Sequence, residues 1–162
     1  MTVKLAPASS DQRCWIRSEL QSYLAELSQF ASIEKNAEGQ YDYPYLDFYW
    51  RERDRHSFII YLDNDAVGFL LVREDLDPAD GTSLTEIAEL YIQPAFRQRS
   101  VASSAIKEVL SYFPGNWRAA VLPTNDVAYA FWGQLISALD PGFKEVLPAS
   151  PYNQQIIFSF SA

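Results

Sequence analysis

Residues 86–103, EIAELYIQPAFRQRSVAS, contain an apolar strand, a turn and the beginning of a helix. Branched and aromatic residues over 86–92 favour a strand, and Pro94, which cannot donate to a sheet ladder, marks its end. From Val101 onward apolar residues recur at helical spacing, so a helix begins near Ser100. The first turn of a helix has unpaired N–H groups and the positive end of the dipole, which together attract an anion. This layout predicts a phosphate site at the turn.

Two arginines, Arg97 and Arg99, add positive charge just before this helix. Arg97, Ser100 and Ala102 fill an arginine-x-x-small-x-small pattern, which resembles the pyrophosphate loop of GNAT-superfamily N-acetyltransferases, usually Gln/Arg-x-x-Gly-x-Gly/Ala. Ser100 departs from that pattern, because it adds a side chain where glycine lets a phosphate approach the backbone. The backbone N–H groups expected to hold the pyrophosphate are those of Gln98, Arg99, Ser100, Val101, Ala102 and Ser103.

The composition limits the classes of function open to this chain. Its 162 residues, 48% hydrophobic and 15% aromatic, suit one domain over residues 1–162 with a real core. The 13 basic and 21 acidic residues give a net charge of −8, which argues against a general affinity for nucleic acid or anionic membranes. A single cysteine excludes an internal disulfide and a cysteine-based metal site, no apolar run reaches the length of a membrane span, and the N-terminus lacks a signal-peptide pattern. We therefore expect a cytoplasmic protein without a metal.

A second motif follows the helix and the next predicted strand. Asn125 fits an N-cap, and Asn125, Ala128, Phe131 and Trp132 match the spacing Asn-x-x-Ala-x-x-Phe-aromatic. This spacing resembles the GNAT segment that lies along the pantetheine and adenine-ribose side of the coenzyme. The resemblance implies that Asn125, Tyr129 and Trp132 contact the coenzyme.

The two motifs in order are more specific than either alone, and the resemblance covers residues 57–160. Within the superfamily the chain resembles a bacterial branch of predicted acetyltransferases. The resemblance implies an α/β (α+β) fold with a mixed, strongly bent sheet, flanking helices and a V-shaped gap at the central strand. Acetyl-CoA, the implied co-substrate, enters this gap.

Acetyl transfer to an amine needs a deprotonated amine, a polarised thioester carbonyl and a proton or donor for the leaving thiolate. The resemblance implies that main-chain groups of Leu90, Tyr91 and Ile92 polarise the carbonyl. Glu86 aligns by spacing with the general base of some members, and Glu89 is the second candidate.

Alternation along a regular strand puts Glu86 and Glu89 on opposite faces, so we do not expect both to face one cleft. A bulge, which is common in this strand of the family, would reverse the parity of the residues after it. The alternative for either glutamate is a solvated or ion-paired carboxylate.

The proton for the leaving thiolate has no obvious source. Many relatives carry a tyrosine where Trp132 stands, and an indole N–H donates a hydrogen bond but is not a practical acid. Tyr129 lies three residues earlier, about 4.5 Å along the helix axis. That displacement indicates a coenzyme contact rather than the acid.

The remaining stretches are interpreted first as structure. The aromatic residues of 41–50 predict either a packed helix or an aromatic wall beside the acceptor. Cys14 and His56 have no evident catalytic neighbours, the acidic loop 75–81 does not match a calcium loop, and residues 148–151 predict a turn.

These patterns predict an acyltransferase that acts by direct transfer from acetyl-CoA to an amine of a small molecule or peptide. Two alternatives remain open: an acyl-CoA-binding sensor of the same fold with weak or no catalysis, and a structural or protein-interaction domain that binds no nucleotide. The acceptor residues of this fold lie in N-terminal helices and loops, where no motif is legible. A monomer and a homodimer fit the sequence equally.

Overall fold

The computed structural model describes residues 1–149 and 154–162, which form a sheet with helices packed on both faces. The strands are β1 (Val3–Pro7), β2 (Arg55–Leu62), β3 (Asp65–Leu76), β4 (Ser83–Ile92), β5 (Asn116–Val121), β6 (Lys144–Val146) and β7 (Ile156–Ser161). The helices are α1 (Arg13–Leu27), α2 (Phe48–Arg51), α3 (Val101–Tyr112) and α4 (Asp126–Leu139). The turn predicted at 148–151 lies partly outside the described residues.

The sheet is mixed and has a gap at its central strand. Its order is β1-β2-β3-β4-β5-β7-β6, and every neighbouring pair is antiparallel except β4 and β5. These two strands pair only where residues 85–87 meet residues 117–119, and beyond that point they separate. The mixed sheet, the flanking helices and the gap confirm the α/β fold predicted from the sequence.

Alternation along the strands produces a hydrophobic cluster on each face of the sheet. Phe58 and Ile60 of β2 pack on the side of α3 and α4. Ile59, between them, packs on the side of α1 and α2. The helices cover both faces because each presents one apolar stripe, such as Ile16 and Leu20 of α1.

Gly68 in β3 allows β4 to approach closely. A Cβ atom at this position would lie 2.2 Å from the main-chain oxygen of Tyr91 and 2.9 Å from Cδ1 of Ile92. Only glycine therefore permits this contact, which fixes the position of the end of β4. No helix in the described part of the chain is both long and apolar enough to cross a membrane.

Candidate active site

The separation of β4 from β5 opens a cleft of about 1390 Å³. Its walls come from β4, the end of β5, α4, the loop before α3, the last turns of α1 and the segment leading into α2. Pockets for a single small ligand usually measure about 300–1,000 Å³. The cleft is therefore large enough for two reactants.

The loop before α3 has a left-handed backbone at two residues. Gln98 and Ser100 both have φ of 60°, and Ser100 is the N-cap of α3. A residue with a side chain in this region costs roughly 1–2 kcal/mol, whereas glycine adopts it freely. Ser100 thus keeps the backbone conformation that glycine favours, although its side chain adds bulk at this point.

The first turn of α3 presents its N–H groups at the cleft. The Ser104 N–H donates to the Ser100 carbonyl at 3.0 Å. Among the described residues, no backbone hydrogen bond is made by the N–H groups of Val101, Ala102 and Ser103, and all three residues line the cleft. Three free donors at the positive end of a 12-residue helix suit an anion.

The two arginines of this loop differ in position. Arg97 lines the cleft, its Nε donates to the Ile92 carbonyl at 2.8 Å, and its Nη2 reaches both Glu26 carboxylate oxygens at 2.8 and 2.9 Å. Arg99 lies over the Phe96 ring at 6.0 Å and is not among the residues that line the cleft. The structure therefore places Arg97 in the wall of the cleft and Arg99 outside it.

A bulge at Ala88 changes the direction of the strand after it. Leu71 of β3 pairs with Glu89, and the next residue of β3 pairs with Ile87, so Ala88 is an extra residue in β4. Glu86 pairs with Arg73, which lies on the same face of β3 as Leu71. Glu86 and Glu89 consequently share a face, and both line the cleft. The expectation that they would not share a cleft is wrong because the strand is bulged rather than regular.

Glu89 has the environment of a proton acceptor. Burial raises the pKa of its carboxyl from an ordinary 4.5 to about 7. Hydrogen bonds from Tyr23 and Tyr43 lower this pKa, and the negative charge of Glu86 raises it. The Tyr43 hydroxyl donates to Glu89 Oε1 at 3.3 Å. The carboxyl is thus balanced between its protonated and ionised forms near neutral pH.

Glu86 is neutralised by two guanidinium groups. Its Oε2 lies 2.8 Å from Arg73 Nη2 and 2.6 Å from Arg118 Nη2. Asp75 joins the same network, at 3.2 Å from Arg73 and 3.5 Å from Arg118. Both guanidinium groups reach the same carboxylate oxygen, so Glu86 is the centre of a charge network that spans β3, β4 and β5.

The end of β4 supplies main-chain groups to the cleft. Leu90, Tyr91 and Ile92 line it, and they pair with β3 on the opposite side. No strand in the described part of the chain pairs with β4 on the β5 side beyond Ile87. The structure therefore places these three residues at an unpaired strand edge in the cleft wall.

On α4, the predicted coenzyme residues separate into two groups. The Asn125 side chain caps the helix by accepting from the Ala128 N–H at 3.2 Å, and Asn125 and Trp132 both line the cleft. Trp132 is buried. Tyr129 points elsewhere: its hydroxyl donates to Glu145 at 2.7 Å, and its ring packs on Phe158. The sequence predicted that Tyr129 lies in the same groove as Trp132. In the structure Tyr129 is not part of the described lining of the cleft.

The aromatic stretch contributes side chains both to the core and to the wall of the cleft. Tyr49 lies in the short helix α2 and packs in the core with Leu46. Tyr43, Tyr45 and Tyr49 also line the cleft, together with Tyr23 of α1. Burial raises the pKa of Tyr23, Tyr43 and Tyr49, so these phenols stay protonated as hydrogen-bond donors.

Sequence reasoning missed several cleft residues whose importance depends on distant partners. These are Tyr23, Glu26, Arg55 and Arg73. In the sequence, Arg55 and Arg73 are visible only as charged residues in predicted strands. Their position in the cleft follows from the strand register, which the sequence does not show. The described residues contain no group of three or more histidine, cysteine or acidic side chains arranged to hold a metal ion.

Comparisons with known proteins agree with this architecture. A family model described as "Acetyltransferase (GNAT) family" matches residues 20–135, more than half of the 162-residue chain. A search of curated proteins finds no match.

Solved structures share the fold at low sequence identity. An acetyltransferase from Thermus thermophilus has 19% identity and a TM-score of 0.63, with 100% of this chain and 98% of that chain covered. The PaiA N-acetyltransferase of Thermoplasma acidophilum, in complex with coenzyme A, has 14% identity and a TM-score of 0.64 over 100% of both chains. Naa50 of Arabidopsis thaliana, in complex with the bisubstrate analogue CoA-Ac-MVNAL, has 15% identity and a TM-score of 0.60, again over 100% of both chains.

Proposed function

The chain belongs to the acetyltransferase (GNAT) family, and from this premise we propose that it transfers an acetyl group from acetyl-CoA directly to an amine. The observation that carries the proposal is the presence, in one cleft, of the free N–H groups of α3 and the Glu89 carboxyl. The N–H groups can bind a pyrophosphate, and the carboxyl can accept a proton from an amine. We take residues 1–162 as one acetyl-CoA-binding domain.

The cleft offers acetyl-CoA one place for its pyrophosphate and another for its pantetheine arm. In the proposed arrangement, the N–H groups of residues 98–103 hold the pyrophosphate at the N-terminus of α3. The pantetheine arm lies between β4 and β5, beside Asn125 and Trp132. Complexes of the similar proteins from T. acidophilum and A. thaliana with coenzyme A or a CoA bisubstrate analogue support this choice of co-substrate.

We expect Arg97 to exchange its ion pair with Glu26 for the coenzyme's pyrophosphate. Its Nη2 is held by Glu26, which is half-exposed like Arg97 itself, so this pair is weak. A pyrophosphate beside it offers a stronger, multiply charged partner. The guanidinium group of Arg99, outside the cleft, contributes only long-range attraction.

Acetyl-CoA supplies an activated thioester when it is bound, and the chain's own groups position and deprotonate the acceptor. Main-chain groups of Leu90, Tyr91 and Ile92 polarise the thioester carbonyl, since β4 lacks a strand partner there. The Glu89 carboxylate removes a proton from the acceptor ammonium or amine. Glu86 orients Arg73 and Arg118 and is not the base, because both cations neutralise it.

The proton that reaches the departing sulfur comes from water in this proposal. The hydroxyl of Tyr129 is bound to Glu145 outside the cleft, and the indole of Trp132 is buried and is only a hydrogen-bond donor. Turnover is therefore expected to be slow compared with relatives that place a phenol beside the sulfur.

We place the protein in the cytoplasm, with a small-molecule or peptide amine as acceptor and no nucleic acid or membrane partner. The single cysteine and the net charge of −8 support this placement.

Two measurements test the proposal. Acetyl-CoA and CoA should raise the thermal unfolding temperature and AMP should raise it less, because selective binding to the native state stabilises it. Thiol release from acetyl-CoA should then depend on an added amine and fall sharply in Glu89→Gln, while Glu38→Gln in an exposed loop leaves it unchanged. Stabilisation by CoA without amine-dependent thiol release would instead identify an acyl-CoA sensor, and no stabilisation would indicate an interaction domain.

A further inference from the structure

Arg55 is a cation of the cleft without an acidic partner. It lies half-buried at the beginning of β2 and lines the cleft. No carboxylate lies within ion-pair distance of it in residues 1–149 and 154–162. Its guanidinium carbon stands 5.7, 5.5 and 5.4 Å from the ring centroids of Tyr45, Phe48 and Tyr49. The rings hold the side chain in place but leave its charge uncompensated.

The strand register makes Arg55 the end of a charged row that crosses four strands. Arg55 pairs with Arg73, Arg73 with Glu86, and Glu86 with Arg118. Glu86 and Asp75 both contact Arg73 and Arg118. Three positive charges therefore share two negative ones, and the excess positive charge resides on Arg55.

The other arginines that line the cleft are already paired. Arg73 has its two acidic partners, and Arg97 has Glu26. Among the acidic groups, Glu86 and Glu26 are likewise paired with arginines, whereas the hydrogen bonds of Glu89 in the described part of the chain come from phenols. The cleft is thus left with one uncompensated cation, Arg55, and one proton acceptor, Glu89.

Two tyrosine hydroxyls lie between Arg55 and Glu89. The Tyr43 hydroxyl donates to Glu89 Oε1 at 3.3 Å, the Tyr43 and Tyr49 hydroxyls interact, and the Tyr49 hydroxyl interacts with Arg55. Two phenol side chains therefore bridge the space between Glu89 and Arg55. An acceptor that reaches both Glu89 and Arg55 lies along this phenol wall, which suits a short chain between its amine nitrogen and its anionic oxygen.

We propose, on the basis of the acetyl transfer proposed above, that the acceptor is a short primary amine that carries an oxyanion, with Arg55 binding the oxyanion and the Tyr43–Tyr49 wall enclosing the chain between. The guanidinium group offers a planar pair of donors that matches a carboxylate or a phosphate. A short amine with a terminal oxyanion is an α- or β-amino acid or its phosphate counterpart. A polyamine lacks the anion and would place a second positive charge near Arg55.

Pairs of amines that differ only in the anionic group test whether the wild-type protein prefers a carboxylate, a phosphate or no anion in the acceptor. Thiol release from acetyl-CoA is measured with β-alanine against β-alaninamide, with O-phosphoethanolamine against ethanolamine, and with spermidine. We expect kcat/KM for one anionic amine to exceed that for its neutral partner by about tenfold or more, since a charge-assisted hydrogen bond contributes that much. A preference for β-alanine identifies a carboxylate, and a preference for O-phosphoethanolamine identifies a phosphate.

Variants at Arg55 test whether this residue causes the preference for an anionic amine. Arg55→Gln should raise KM for the anionic amine about tenfold or more and leave KM for its neutral partner and for acetyl-CoA unchanged, and Arg55→Lys should restore part of the loss. Arg51→Gln is the control, because Arg51 also lies over the Phe48 ring, at 5.4 Å, but is exposed and does not line the described cleft.

The outcomes distinguish this inference from the function on which it rests. Equal or better turnover of the amides, ethanolamine or spermidine by the wild-type protein overturns the oxyanion site and leaves acetyl transfer intact. An equal loss with anionic and neutral amines in Arg55→Gln also overturns it, since Arg55 would then only support the fold. Failure of every amine despite stabilisation by acetyl-CoA refutes the acetyl transfer itself, and the inference with it.

Discussion

Replacing Glu89 with glutamine removes the group whose ionisation is expected to control the reaction. The pKa of this carboxyl is about 7, so its ionised fraction rises from about one tenth at pH 6 to about nine tenths at pH 8. In the wild-type protein kcat/KM should therefore rise about tenfold between these two pH values, with an inflection near 7. Glutamine cannot accept the proton, and the usual contribution of a general base predicts a loss of about 10²–10⁴-fold in turnover.

The assay is thiol release at saturating acetyl-CoA, followed from pH 5.5 to 8.5 with an accepted amine. Deprotonation of the amine adds its own pH dependence, so the decisive comparison is the inflection near 7, which should be present in the wild-type protein and absent in Glu89→Gln. Tyr43→Phe removes a hydrogen bond that lowers the Glu89 pKa and should move the inflection to higher pH. An inflection near 7 that survives in Glu89→Gln, or a loss below tenfold with acetyl-CoA affinity intact, refutes Glu89 as the base.

The same pKa makes a prediction for folding that does not depend on activity. The folded-state pKa of Glu89 is raised above its ordinary value of 4.5, so its contribution to stability is complete below about 4.5 and is lost as pH rises through about 7. Glutamine does not ionise. Glu89→Gln should therefore lose less free energy of unfolding between pH 5 and pH 8 than the wild-type protein, as measured by urea denaturation. A steeper loss in the variant would contradict the raised pKa.

Three further substitutions test other parts of the site. Ser100→Gly should preserve or tighten CoA binding in calorimetry, because glycine adopts φ of 60° freely, whereas Ser100→Glu should abolish it; equal affinities would argue against this placement of the pyrophosphate. Tyr129→Phe should leave turnover and CoA affinity unchanged, since its hydroxyl is bound to Glu145 outside the described cleft, and a loss of more than about a hundredfold in turnover would make it the missing acid. Gly68→Ala should cost about 1–3 kcal/mol in urea unfolding, because its Cβ would meet the Tyr91 carbonyl oxygen at 2.2 Å, and an unchanged midpoint would show that β4 can move away.

Local sequence patterns were sufficient to predict the helices, the strands and the two motifs. The beginning of α3 at Val101, the Asn125 cap of α4 and the strand that ends at Ile92 all follow from residues within a few positions of one another. Hydrophobic periodicity and capping chemistry act over one or two turns, so they are legible without the fold. A sheet with a gap at the central strand followed from the family resemblance, and the structure has that gap after residue 87.

The roles of individual side chains depended on contacts that no local pattern records. The extra residue Ala88 places Glu89 on the face of Glu86, and a bulge is visible only in the pairing of β4 with β3. The proton affinity of Glu89 is set by burial and by Tyr43, 46 residues earlier in the chain. Tyr129 is turned away by Glu145, which lies 16 residues further along.

The sequence by itself determined where the chain forms helices and strands and which loop can hold a phosphate, because those properties arise from neighbouring residues. Tertiary structure alone decided which glutamate is neutralised and which can accept a proton. Glu86 and Glu89 are similar in sequence context, yet the charge of one is cancelled by Arg73 and Arg118, while the other is desolvated beside phenols. Electrostatic energy depends on distance in space and on exposure to water, and strand register and burial set both only after folding.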